Sequence, residues 1–299
     1  MHIRALSCLA LPAILVAQAP APSLAQRFRS ESPALDQLFK EFKYKEALAK
    51  AEGLIPASHP EFVKTDPRKG FESSQEFSSL MAIYSVTGKA ALLSGDWAKG
   101  KEMFTKARTV AQENHSNFTD VTAGIQQTWQ KAMEDSKKQL EDNAARRKEV
   151  EAKPEKDRTP QDLDLLKAVG VWESNLTNGT KLIKQLSDHA AGLKKDADAF
   201  AKPLEGVEAD LKSEADTLAG EKFKGDTSKY VAAVLNTPKN FDLPTQGDKV
   251  KLLHRLMFLD PANARAAKSL QAAIEGKPVP VAEEKKLAPA KRVPAKKKK

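Results

Sequence analysis

The stretch Asp164–Ala219, DLLKAVGVWESNLTNGTKLIKQLSDHAAGLKKDADAFAKPLEGVEADLKSEADTLA, decides the fold class. Leu176, Ile183, Ala190, Ala197, Leu204, Leu211 and Leu218 recur every seven residues. Leu165, Trp172, Leu186, Leu193, Phe200 and Val207 follow a second seven-residue register offset by three, with Gly179 as its gap. A helix returns to the same face about every 3.5 residues, so a doubled seven-residue repeat is one apolar stripe along a long helix. Lys, Asp, Glu, Ser and Gln fill most intervening positions, as a solvated face requires. Unbroken, this helix would span about 80 Å at ~1.5 Å per residue. Pro203 is expected to kink it, because proline lacks the N–H and clashes with the preceding turn; Asn178-Gly179 offers a second break. The seam predicts a coiled coil or a long helical hairpin. Its expected partner runs from Val121 to Ala152 and carries Ile125, Trp129, Met133, Leu140 and Val150; Lys153–Gln161, with Pro154 and Pro160, turns the chain back.

Towards the N-terminus, Leu35, Leu38, Phe39, Phe42, Ala47, Leu48, Ala51 and Leu54 predict a helical face over Ala34–Ile55. Pro56, Pro60 and Pro67 interrupt it, and Ser73 or Ser74 is the expected N-cap of the next helix. Gln75–Asn114 then reads as helix, turn, helix, with the turn at Gly95-Asp96. Within it Tyr84, Gly88, Ala91, Gly95, Trp97, Gly100, Phe104 and Ala107 fall at the spacings of aromatic, small and alanine positions in tetratricopeptide repeats, which this segment resembles. Small residues at 88 and 100 allow close approach of two helices, and Trp97 and Phe104 fill the space between neighbouring pairs. The segment departs from the family in carrying Gln112 at the usual proline and Gly100 at the usual alanine. Phe42–Ala47 with Ala51 and Leu54 resembles the second helix of such a unit. Leu259–Ala264, followed by Ala267, Leu270 and Ile274, resembles a junction between two units. The resemblance implies a platform for protein partners.

Beyond the seam, Gly220–Gly225 reads as a turn, Ser228–Leu235 as a short helix, Thr237–Asp248 as a loop and Lys249–Ile274 as a last helix pair. From Gly276 to Lys299 there are eight Lys and one Arg against two Glu, a net +7 out of the chain's +9, so the preceding residues are nearly neutral. Alternating Pro, Ala, Val and Lys predict a disordered tail. Lys285, Lys286, Lys291, Arg292, Lys296, Lys297, Lys298 and Lys299 are the candidate contacts to an anionic envelope surface or nucleic acid. With no aromatic residue among them they lack a stacking platform for bases.

The chain opens with His2 and Arg4, an apolar stretch Ala5–Ala19 and the small-x-small triplet Ser23-Leu24-Ala25, the order of a secretory signal peptide cut after Ala25. The apolar run is shorter than the ~20 residues a membrane helix needs, so no transmembrane span is expected in the mature chain. Cys8, the single cysteine, leaves with the signal, which removes disulfides and thiolate chemistry. Export without disulfides points to a bacterial periplasm or secreted space. The expected organisation is a signal peptide (1–25), a tetratricopeptide-like region (26–118), a long helical hairpin or coiled coil (119–219), a C-terminal helical region with a partial repeat (220–275) and the tail (276–299).

A charged content of 30% excludes a multi-span membrane protein, and 6% aromatics favours aliphatic helix seams over a sandwich or barrel. The histidines that follow the signal, His59, His115, His189 and His254, have no neighbours at metal-ligand spacing. No phosphate-cradling loop, nucleophile elbow or dinucleotide fingerprint occurs, so no cofactor is expected. These readings converge on an all-α, non-enzymatic cell-envelope adaptor or scaffold that binds protein partners. A seam that also pairs between chains would make it a homo-oligomer. The alternative is a polyanion- or membrane-surface-binding protein acting through the tail.

Overall fold

The computed structural model describes residues 22–65 and 67–280, apart from the side chains of 67 and 68, and within them the chain is all-α. The export segment lies outside this range except for residues 22–25. Of these, Ser23 caps and Leu24 and Ala25 open the first helix, α1 (Leu24–Lys40): Ser23 Oγ accepts the Gln26 N–H at 3.2 Å, and Gln26 Oε1 accepts the Ser23 N–H at 3.0 Å. This reciprocal cap satisfies two backbone donors that the helix itself leaves unpaired. Leu24 is buried against Leu35, Ala47 and Phe77, so a cut after Ala25 removes both the cap and a core side chain.

The single helix expected over 34–55 is two. Phe42 adopts a left-handed φ of 57°; the Lys43 N–H reaches the Leu38 carbonyl and the Phe42 N–H the Phe39 carbonyl, a Schellman ending of α1. A phenylalanine there costs about 1–2 kcal/mol of backbone strain, offset by packing of its ring edge-on against Tyr44 at 6.1 Å. α2 (Tyr44–Glu52) then folds back on α1.

α3 (Pro67–Leu93) starts ahead of the expected Ser73/Ser74 cap. Proline suits a first helical position, and Ser73 instead accepts the Val63 N–H through its hydroxyl at 3.1 Å. The turn at Gly95 (φ +93°) leads into α4 (Trp97–Asp142), capped by Asp96 accepting the Lys99 N–H at 3.0 Å. α4 is one helix of 46 residues, so the boundary expected between 118 and 119 falls in its interior. The helix end expected at Asn114 does not occur: Asn114 is buried and donates to the Ser74 carbonyl (3.0 Å) and Ser78 Oγ (3.2 Å), and Phe118 is fully buried beside Leu186 and Leu193. Packing overrides weak propensity here.

After a bend at Asn143, α5 (Ala144–Ala152) ends at Lys153. A 3-10 turn at Glu155–Asp157 leads to α6 (Pro160–Ala199), where Thr159 and Asp162 form a second capping box. α6 passes through Asn178-Gly179 without a break. Gly179 is buried, and a Cβ on it would lie 2.5 Å from Met133 Sδ and 3.1 Å from Trp129 Cε3. The gap in the heptad register is therefore where Met133 and Trp129 of α4 press against the α6 backbone. The real interruption is at Phe200, before α7 (Ala201–Ala219), three residues ahead of Pro203, whose ring cannot share a turn with the Ala199 carbonyl.

α4 and α5 run antiparallel to α6 and α7 along their whole length. Phe104 faces Phe200 (6.3 Å), Asn175 donates to Ser136 Oγ (3.1 Å), Arg147 pairs with Glu173 (2.7 Å), and Val150 packs on Leu165 and Val169. Leu186, Leu193, Leu204 and Val207 are buried, and Leu176, Ile183, Phe200, Leu211 and Leu218 are half-buried, so the seam closes within one chain. At ~1.5 Å per residue α4 is about 69 Å long. α3 covers only its first half, with Gly70 meeting Val121, and the distal half pairs with α6 as a two-helix arm.

The remaining helices, α8 (Thr227–Leu235), α9 (Gln246–Leu259) and α10 (Ala264–Ile274), pack with Tyr44 and Phe42 into a second core against the end of the α1–α2 and α3–α4 hairpins. Among the described residues no helix is long and apolar enough to cross a membrane.

Two glycines in α6 give a direct test of the arm. Gly179→Leu is expected to destabilise the protein by about 1–3 kcal/mol through overpacking. Gly170→Ala, where a Cβ would meet nothing within 4 Å, is expected to stabilise it by up to ~1 kcal/mol through helix propensity. Urea unfolding of both variants checks the pair; equal effects would contradict the α4–α6 register.

Candidate functional site

The α3–α4 hairpin brings the repeat-like residues together. Ala91 and Ala107 are fully buried, and a Cβ on Gly88 would meet the Phe104 ring at 3.1 Å; one on Gly100 would overlap Leu92. Tyr84 is half-buried under Lys106, whose ammonium lies 6.0 Å from the ring centroid. Gly95 needs its positive φ and its missing side chain alike, since a Cβ would sit 2.6 Å from the His254 carbonyl oxygen of α9.

Trp97 faces outward from this turn onto α9, with the Arg255 guanidinium 4.3 Å from its ring centroid and 5.3 Å from that of Phe258. Arg255 is buried. Its Nε donates to Glu214 Oε1 at 3.1 Å, Nη2 donates to Glu214 Oε2, and Nη1 donates to the Gly95 carbonyl. One side chain thus ties the α3–α4 turn, α7 and α9 together. The fork of a guanidinium matches a carboxylate in two parallel hydrogen bonds, which lysine cannot reproduce.

Beside this latch opens a groove of about 720 Å³ between α7, α8, α9 and the 3-10 turn Pro238–Phe241. Trp97, Tyr230, Val234, Leu243, Leu252 and Leu256 give it an apolar lining, and Lys239 and Lys251 stand at its edge. Burial, together with the Glu214 charge, raises the Tyr230 phenol above its usual range, partly offset by Arg255. On the opposite face of α9, His254 is buried against Tyr44 (ring centroids 5.5 Å), and among the described residues neither ring nitrogen is hydrogen-bonded, the Phe42 backbone lying near but outside bonding geometry. Burial, and secondarily the Lys45 charge, pushes it down to about 4.

None of Glu214, Tyr230, Lys239, Lys251 or Arg255 stands out in the sequence. The only local signal is His254-Arg255 inside the apolar run Leu252–Leu259, a place where a charge needs a partner. That partner lies 41 residues away on another helix. The candidate polyanion contacts Lys285–Lys299 lie outside the described residues. Among the described residues no group of three or more His, Cys, Asp or Glu is arranged to hold a metal ion. Compared with known proteins, the chain matches no family, no curated protein and no solved structure.

Proposed function

We propose that this protein is a non-enzymatic adaptor of the cell envelope that binds protein partners through tetratricopeptide-like hairpins and a projecting helical arm. The observation that carries this reading is the continuity of α4: its first half is packed into the hairpin base, and its second half extends unbroken into the arm. A partner held at the arm is therefore rigidly placed relative to the base. Glycine-mediated approach of α3 and α4 at Gly88 and Gly100 supports the repeat-like character of the base. Val171, 58% exposed, and Leu163, 46% exposed, leave apolar contact area on the arm.

The test is crosslinking and recovery of the exported protein from cells, comparing the full chain, a chain ending at Gly276 and Val171→Asp. The expected result is a discrete protein partner recovered with both the full and the shortened chain, and at least several-fold less with Val171→Asp, whose exposed position leaves folding intact. Recovery only of anionic envelope material or nucleic acid, and only with the full chain, would replace the adaptor reading by one centred on Lys285–Lys299.

A further inference from the structure

We infer that the groove between α7, α8 and α9 is a binding site for an apolar molecule bearing one carboxylate. Its volume, about 720 Å³, falls within the range of small-molecule sites, which are mostly apolar with a few placed polar groups. The lining supplies the apolar part: Trp97 from the start of α4, Tyr230 from α8, Leu252 and Leu256 from α9, and Leu243 from the segment between.

The charges decide the sign of the polar part. Arg255 is neutralised by Glu214 in a two-bond pair. The Asp248 carboxylate accepts from the Thr245 hydroxyl at 2.6 Å, a contact that does not cancel its charge, so outside the Arg255–Glu214 pair the lining carries two ammonium groups against one carboxylate. Lys239 and Lys251 make no ion pair among the described residues, so the groove offers positive charge at its edge beside apolar surface. A cationic amphiphile would meet these ammonium groups unfavourably, and a neutral one would leave them unused. An acyl chain ending in a carboxylate matches both features: the chain covers Trp97, Leu252 and Leu256, and the carboxylate pairs with Lys239 and Lys251.

The site is separate from the arm, so it is tested without reference to partner capture. Isothermal titration of the full chain with decanoate, kept below its micelle concentration, is expected to give saturable one-to-one binding that weakens with added salt. Decyltrimethylammonium is expected not to bind. Lys239→Gln/Lys251→Gln removes two exposed charges and is expected to weaken decanoate about tenfold, in line with the modest worth of exposed ion pairs. Leu243→Asp, in a loop outside the cores, is expected to abolish binding while circular dichroism and melting stay unchanged. Absence of saturable decanoate binding, equal binding of the cationic amphiphile, unchanged affinity in the double variant, or tighter binding of a peptide ending in an apolar residue would each overturn the assignment.

Discussion

Replacing Glu214 by Leu is expected to destabilise the protein by about 3–5 kcal/mol, the usual cost of stranding a buried charge. Both side chains of the Arg255–Glu214 pair are only 8% exposed. Without the carboxylate, the guanidinium keeps the Gly95 carbonyl and the faces of Trp97 and Phe258 but loses its counter-charge. It cannot escape by losing its proton, because arginine stays ionised at any ordinary pH. The remaining route is to swing towards the groove, which releases α9 from the Gly95 turn. Arg255→Met strands the Glu214 carboxylate in turn and is expected to destabilise the protein as well. The double variant Glu214→Leu/Arg255→Met should recover most of the loss, because apolar side chains of similar volume replace buried ion pairs well. Urea unfolding at pH 7 ranks the three. A Glu214→Leu variant within ~1 kcal/mol of the parent would show that this pair does not hold α7 and α9 to the base.

The second large effect is a dependence of stability on pH set by His254. Its folded value is about 4, against ~6.5 for a free histidine. The native state therefore holds the ring neutral, while the unfolded chain binds a proton below about 6.5. The stabilisation from keeping the ring neutral is fully present above that value and is lost progressively as pH falls towards 4, about 2 kcal/mol of it between pH 7 and 5. The groups around the ring explain the direction: Tyr44 packs on it at a tilt and buries it, Lys45 adds positive charge, and among the described residues no group hydrogen-bonds either nitrogen. His254→Phe keeps an aromatic ring against Tyr44 and removes the titration. Its urea midpoint should change much less between pH 7 and 5 than the parent's, with His59, His115 and His189 common to both. Parallel pH profiles would assign the effect elsewhere.

Particular residues show how far the sequence could be read. The turn at Gly95-Asp96 and the short α8 stand where turn chemistry and periodicity put them, because capping and backbone conformation act within a few residues, whereas α9 begins at Gln246, inside the expected loop 237–248 that also holds the 3-10 turn Pro238–Phe241. The heptad register of α6 and α7 identified the face that meets α4. Where the reading erred, weak local signals met strong packing. Gly179 looked like a break because glycine costs a helix conformational entropy, but it is the contact point for Met133 and Trp129. Asn114 is the expected end of the repeat-like segment, yet it lies inside α4, held by Ser74 and Ser78. The reverse error came at Phe42, where an apolar period ran on through a left-handed turn held by its own backbone hydrogen bonds and by packing against Tyr44.

The sequence by itself determined that this chain is all-α and which face of the long helix is apolar, because helix periodicity is a local property. The tertiary structure alone decided that α4 spans base and arm, that Arg255 meets Glu214, that His254 is buried without a partner, and that a groove opens between α7, α8 and α9. Those features depend on desolvation and charge pairing between residues far apart in the chain, and such energies exist only once the helices have packed.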